Sequence, residues 1–409
     1  MTTVEVYGSR VRQARVLRRM TSKAVMAELG WKGARQTRLE QAEVSSLDME
    51  DFLRVTEVLR FPALFFTTPP ASRVDAGDLL FRAPRATTAG EKEYLAQFAA
   101  VVGDFLDGLD SGWPLPPVKL PVVDASTSIS SAAELVRERM GIDPDAPISY
   151  LTYEAERCGI PVVQRLRRSR STGALSLDPV DDDAGLSEKH LGYSTRVGEY
   201  GDRPLVVVRA SASWERMRWT VGHEIGHLVL HAGGGEVTED QELEASRFAS
   251  ELIAPAKAIA AEVPKVPSLL NLVPLKLKWG ISIGALIRHL AASELIEQQR
   301  YEMLRRQLYT RLNPDTGHTW GKTEPGWDAR EPERPRLISR WVERCYGATT
   351  AAMLAPHQLM WPQDLLEDFL AGQRPSPNRG TPTAIPSSQS VSDGGTVIAI
   401  DRFRQRRRA

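Results

Sequence analysis

The chain has 409 residues, 42% apolar and 25% charged, which is material for two or three packed domains and too apolar for a disordered or fibrous protein. Its 52 basic and 52 acidic residues cancel, so no global field favours nucleic acid or a membrane, and any basic surface must be local. The two cysteines, Cys158 and Cys345, lie far apart without metal-like spacing, which argues against a disulfide framework and fits a reducing compartment. With no basic-then-apolar leader and no apolar run near the roughly 18 residues of a membrane span, a cytoplasmic protein without a membrane partner is expected.

Residues 1–68 read as an all-α bundle of short helices. Val11, Ala14 and Leu17 share one stripe, Thr21 can cap a second helix closing at Gly30, and WKGARQTRLEQ forms a third. A fourth, from about Asp48 to Leu59, is expected to bury Phe52, Leu53, Val55 and Val58, and FPALFFTTPP closes the bundle. The local basic charge is in residues 1–38, where Arg10, Arg12, Arg15, Arg18, Arg19, Lys23, Lys32, Arg35 and Arg38 stand against only Glu5 and Glu28. Residues 69–130 hold an amphipathic helix, in which Tyr94, Leu95, Phe98, Val101, Val102, Phe105 and Leu109 recur with a 3.6-residue period, and a Pro-rich linker. That face is expected to pack within its own chain, with a homodimer surface as the alternative.

Residues 131–260 read as an α+β unit. Ser131 and Glu134 form a capping box, Gly141 stops the helix, a second helix spans about Ser149 to Cys158, and IPVVQRL, GALSL, LGYST and PLVVVRA read as strands around an acidic loop at Asp181 to Asp183. Residues 261–372 turn helical again, with Ser282 as a cap, and 373–409 compose a disordered basic tail ending in RFRQRRR. The fold class expected is therefore multidomain and mostly α.

WERMRWTVGHEIGHLVLHAGGG carries the chemistry. Two imidazoles four residues apart project from one helical face, so His223 and His227 can grip one metal ion, while Glu224, one residue further round, reaches a metal-bound water. Zn²⁺ at such a site lowers the pKa of that water towards roughly 7, and the carboxylate can carry its proton. His231 is one turn further along, but three ligands in a row on one straight helix cannot surround an ion tetrahedrally. A histidine-rich metzincin continuation would place His at position 233, which is Gly233. The third ligand must then come from another helix, QELEASRFASELIAP, whose inward residues are Ala245, Phe248, Ala249 and Leu252. Spacing leaves Glu242, Glu244 and Glu251 open. Tyr150, Tyr153, Tyr193, Tyr200 and several arginines are each possible oxyanion partners.

HEIGHLVLH followed by EASRFASELIAP resembles the ImmA/IrrE peptidases, whose pattern is H-E-x-G-H-x-x-x-H and then E-A-x-x-F-A-x-x-L-x-x-P. The resemblance covers about residues 131–310 and implies a zincin-like, gluzincin-type zinc endopeptidase. It implies that Glu224 is catalytic, that Glu244 is the third ligand beside His223 and His227, and that Glu251 has a salt-bridging or supporting role. The N-terminal bundle is similar to an XRE-type helix-turn-helix, which implies DNA contacts by Lys32, Arg35, Gln36 and Arg38. It departs from that pattern at Ser22, Met26 and Gln36. Together these imply a bacterial regulator that cleaves a partner XRE-type repressor. The alternative is a DNA-binding regulator whose zinc domain senses or is structural.

Overall fold

The computed structural model describes residues 2–80, 88–165, 167–168, 175–176, 192–211, 213–233, 237–347 and 360–373. The acidic loop, most of GALSL and all but the first residue of the basic tail lie outside them.

The first residues alternate β-branched and polar side chains, TVEVY, and form β1 (Thr3–Tyr7) rather than joining a helix. β1 pairs antiparallel with β2 (Val44–Asp48), Val4 opposite Leu47 and Val6 opposite Ser45. The expected all-α bundle therefore contains a small sheet, because five-residue alternation was outweighed by the helical periods around it. Four helices surround the pair: α1 (Gly8–Leu17), α2 (Ser22–Leu29), α3 (Arg35–Gln41) and α4 (Met49–Leu59). Thr21 accepts the Ala24 N–H, and Gly30 ends α2 at φ 66°, a left-handed stop that glycine adopts without a Cβ penalty. At Gly8, a Cβ would lie 2.2 Å from the Leu39 carbonyl oxygen, so only glycine lets α1 start against the end of α3. Phe52, Val55 and Leu59 are buried on α4, whereas Leu53, expected inside, is 55% exposed. The short α5 (Ala63–Thr67) adds Phe65 and Phe66 beside Phe61.

The amphipathic α6 (Ala89–Gly112), about 36 Å long at 1.5 Å per residue, packs against α1 on one side and the central sheet on the other. The face considered for dimerisation is thus used within the chain. Buried Arg10 fastens α1 to α6, meeting Asp104 at 2.5 Å and the carbonyls of Thr68 and Pro69. Two helices follow, α7 (Ile129–Met140) and α8 (Leu151–Arg157). Ser128, not Ser131, caps α7, accepting the Ser131 N–H one turn earlier than the capping box suggested.

The central sheet has the order β3 (Val162–Arg165), β7 (Arg203–Arg209), β6 (Gly192–Val197), with β3 parallel and β6 antiparallel to β7. A two-residue ladder, β4 (Arg167–Arg168) with β5 (Leu175–Ser176), lies between them in sequence. Strand alternation sends Val163, Leu205 and Val207 into one core and Val162, Val206 and Val208 into another. A sheet buried on both faces explains the unbroken apolar run PLVVV.

One core holds the N-terminal bundle and α6. The other holds α7, α8, α9 (Trp214–Leu230), α10 (Glu239–Ile253), the short α11 (Ala256–Ile259), α12 (Leu269–Trp279), α13 (Ile283–Ala292) and α14 (Gln298–Thr310). The stretch 261–372 divides between them, since α15 (Leu337–Tyr346) and α16 (Gln363–Ala371) return to the N-terminal core. Arg18 pairs with Asp364 there at 2.5 Å. The return is anchored by an exchange of carboxylates. Glu333 accepts the Leu151 and Thr152 N–H groups at the start of α8, while Glu156 of α8 accepts those of Arg336 and Leu337 at the start of α15. All these elements fall in one compact unit, Met1–Arg374. Among the described residues no single helix is long and apolar enough to cross a membrane.

Candidate metal centre

α9 begins at Ser213, whose hydroxyl accepts the Arg216 N–H, and buries Ile225, Leu228 and Val229 against the second core. α10 begins with a reciprocal capping box between Thr238 and Gln241 and crosses α9 antiparallel. Their contact is made by small residues. A Cβ on Gly222 would sit 3.5 Å from Ala249, and one on Gly226 only 3.2 Å from the Ala245 Cα. Gly226 therefore draws α10 in to the distance at which a carboxylate can reach both imidazoles.

That carboxylate is Glu242. Its oxygens lie 3.4 Å from His223 Nε2 and 3.3 Å from His227 Nε2, and the two Nε2 atoms are 3.1 Å apart. Ligands bonded at 2.0–2.2 Å in tetrahedral array stand roughly 3.3 Å from one another, so the three side chains fit one small cation of zinc size. The chemistry of the set agrees. Burial lowers the His227 pKa, partly countered by Glu242, which keeps the ring a neutral donor. Burial alone would raise the Glu242 carboxyl, but His223 and His227 hold it well below the usual range.

Glu244, the third ligand implied by resemblance, does not join them. At 100° per residue it is turned roughly 160° from Glu242, which shares the strip of Ala245, Ser246 and Ala249 facing α9. Its Oε2 instead meets His231 Nε2 at 2.9 Å. Glu251 accepts the Ala256 N–H at the end of the helix. The signal that distinguishes the carboxylates was present in sequence: small residues on α10 facing the glycines of G-H-E-I-G.

Glu224 is buried beside β6, where a Cβ on Gly192 would fall 2.9 Å from its Oε1. Among the described residues its Oε2 has no hydrogen-bond partner. Burial pushes its pKa well up; Ser194 pulls it back and the Glu242 charge adds to the rise. The outer edge of β6 is closed at Ser194, which exchanges both backbone hydrogen bonds with Leu80, at 2.8 and 3.2 Å. Two of the four tyrosines are committed to the fold. Tyr150 hydrogen-bonds the backbone of Arg334, and Tyr193 donates to the Leu95 carbonyl.

In the N-terminal bundle, Lys32 and Arg38 are exposed. Arg35 lies over the Trp31 ring at 4.3 Å and pairs with Asp51, yet stays 44% exposed. Gln36 is a correction to the expected base contacts. It is fully buried and donates to Glu40 at 2.6 Å, because its place on α3, three residues before Leu39, faces the bundle core.

Residues 182–290 match the model of a peptidase family described as the IrrE N-terminal-like domain. The match runs from before β6 into α13 and contains His223, Glu224, His227, Glu242 and Glu244. This part of the chain is similar to a metallopeptidase domain, and it contains a histidine–carboxylate cluster that could hold a metal ion. No curated protein gives a significant match to the chain.

Proposed function

We propose that the chain is a zinc-dependent endopeptidase acting in transcriptional regulation, with His223, His227 and Glu242 as metal ligands and Glu224 as general base. The observation that carries this reading is the convergence of the three ligand atoms with an unpartnered Glu224 oxygen beside them. Zn²⁺ held there would polarise the scissile carbonyl and make water acidic enough to attack. Glu224 takes a proton from the attacking water and delivers it to the leaving amine, and the wall of Gly192 and Ser194 keeps its carboxylate desolvated. The N-terminal bundle serves as an XRE-type helix-turn-helix, presenting Lys32, Arg35 and Arg38 to DNA phosphates or base edges, with Gln36 withdrawn into its core. The substrate is a partner XRE-type repressor.

Incubation of the protein with the XRE repressors encoded beside its gene tests the reading. A cut should appear that is abolished by chelator and lost in Glu224→Gln. Absence of any metal-dependent cut would turn the argument to the second reading, a DNA-binding regulator whose metal domain does not turn over. That reading is favoured by Leu80, which occupies the β6 edge next to Glu224 where an extended peptide would pair.

A further inference from the structure

His231 is the C-cap of α9, with φ −123° and ψ 34°, so it has left the helical track of His223 and His227. Its Nδ1 lies 3.0 Å from His227 Nδ1, on the side of that ring away from Glu242, and its Nε2 lies 2.9 Å from Glu244 Oε2. His231 is 8% exposed, whereas the Glu244 side chain is 47% exposed. A carboxylate oxygen accepts, so the 2.9 Å contact assigns the His231 proton to Nε2. Its Nδ1 is then a lone pair, which can only accept from His227 Nδ1–H. With that proton fixed, His227 Nε2 is left with its lone pair directed at His223 Nε2 and Glu242. This arrangement pairs a donor with an acceptor at both His231 contacts and leaves the His227 Nε2 lone pair for a metal ion.

We infer that Glu244 and His231 form a positioning relay that locks His227 in its metal-binding tautomer. This rests on the metal-site reading above and deepens it, giving Glu244 a role behind the ligand instead of as one. Orientation of a ligating histidine by a hydrogen bond at its other nitrogen raises ligand basicity and removes the cost of selecting the tautomer on binding. Among the described residues, His223 has only the Ser246 hydroxyl at 3.5 Å on its Nδ1, so the relay acts on one ligand of the pair.

Competition for Zn²⁺ against a chromophoric chelator, on the full chain, tests this without reference to turnover. Glu244→Ala and His231→Phe should each weaken zinc binding about 10- to 100-fold. In the double variant, Glu244→Ala should add nothing to His231→Phe, because Glu244 acts only through that ring. Circular dichroism and the unfolding midpoint of the metal-free variants should match the parent, which separates the relay from loss of fold. Unchanged zinc affinity in Glu244→Ala overturns the relay. Fully multiplicative effects also overturn it, showing that Glu244 acts through its charge alone. If the parent chain itself binds no zinc, the metal-site reading fails first and takes the relay with it.

Discussion

The contact between α9 and α10 makes a paired prediction about two glycines one turn apart. In Gly226→Ala, the added Cβ meets Phe248 Cδ1 at 3.0 Å, Ala245 Cα at 3.2 Å and the Ala245 oxygen at 3.3 Å. Two of these atoms are α10 backbone and cannot rotate away, so α10 must retreat by a few tenths of an ångström. Helix propensity favours Ala over Gly by about 0.8–1.0 kcal/mol, and overpacking a tight core costs about 1–3 kcal/mol. The net expectation is a loss of up to about 2 kcal/mol, together with weaker zinc binding as Glu242 moves off the imidazoles. At Gly222 the nearest atoms are at 3.5, 3.5 and 3.7 Å, which is ordinary van der Waals contact. Propensity is unopposed there, and Gly222→Ala should gain about 1 kcal/mol. Urea unfolding of the metal-free variants, followed by circular dichroism, measures both. Equal shifts in the same direction would refute the claim that Gly226 alone sets the approach of the two helices.

Gly192→Ala should depress cleavage while leaving zinc affinity intact, since its Cβ would press on Glu224 Oε1 and not on the ligands; parallel loss of metal would show otherwise. Chelation should lower the unfolding midpoint of the parent, by about 4 kcal/mol when free zinc had been 1,000 times its Kd, and should leave His223→Ala/His227→Ala unmoved. Glu333→Ala would strand the buried Arg218 guanidinium and the N–H groups of Leu151 and Thr152, for a loss of about 3–5 kcal/mol in denaturant unfolding. Burial raises the Glu156 pKa to about 8, against the pull of the Arg336 and Leu337 N–H groups. A raised folded-state value means that its contribution is fully present below the unfolded pKa near 4.5 and is lost as pH climbs through about 8. The parent should therefore lose stability relative to Glu156→Gln between pH 5 and pH 9, by a few kcal/mol at about 1.4 kcal/mol per pH unit; a difference independent of pH would contradict the protonated assignment.

Local signals in the sequence determined much of this protein. Thr21 and Gly30 bounded α2, Gly141 stopped α7 and Ser282 opened α13, because caps and left-handed stops depend on a few adjacent residues. The spacing of His223 and His227 put both rings on one face, and the period of α10 identified Ala245, Phe248, Ala249 and Leu252 as buried. Other features were decided only when distant segments met. Gln36 carries a side chain suited to reading adenine, but the bundle packs that face inward. β1 forms because β2, some forty residues on, supplies its partner. α15 and α16 follow the peptidase-like core in sequence and join the N-terminal core in space. The third carboxylate is the sharpest case. Glu242 and Glu244 differ by two residues, and either can be drawn beside a pair of histidines until the second helix is placed. What places it is the absence of a side chain at Gly226, which sets the depth at which α10 lies on α9. Tertiary packing thereby brings Glu242 to the two rings and leaves Glu244 to His231.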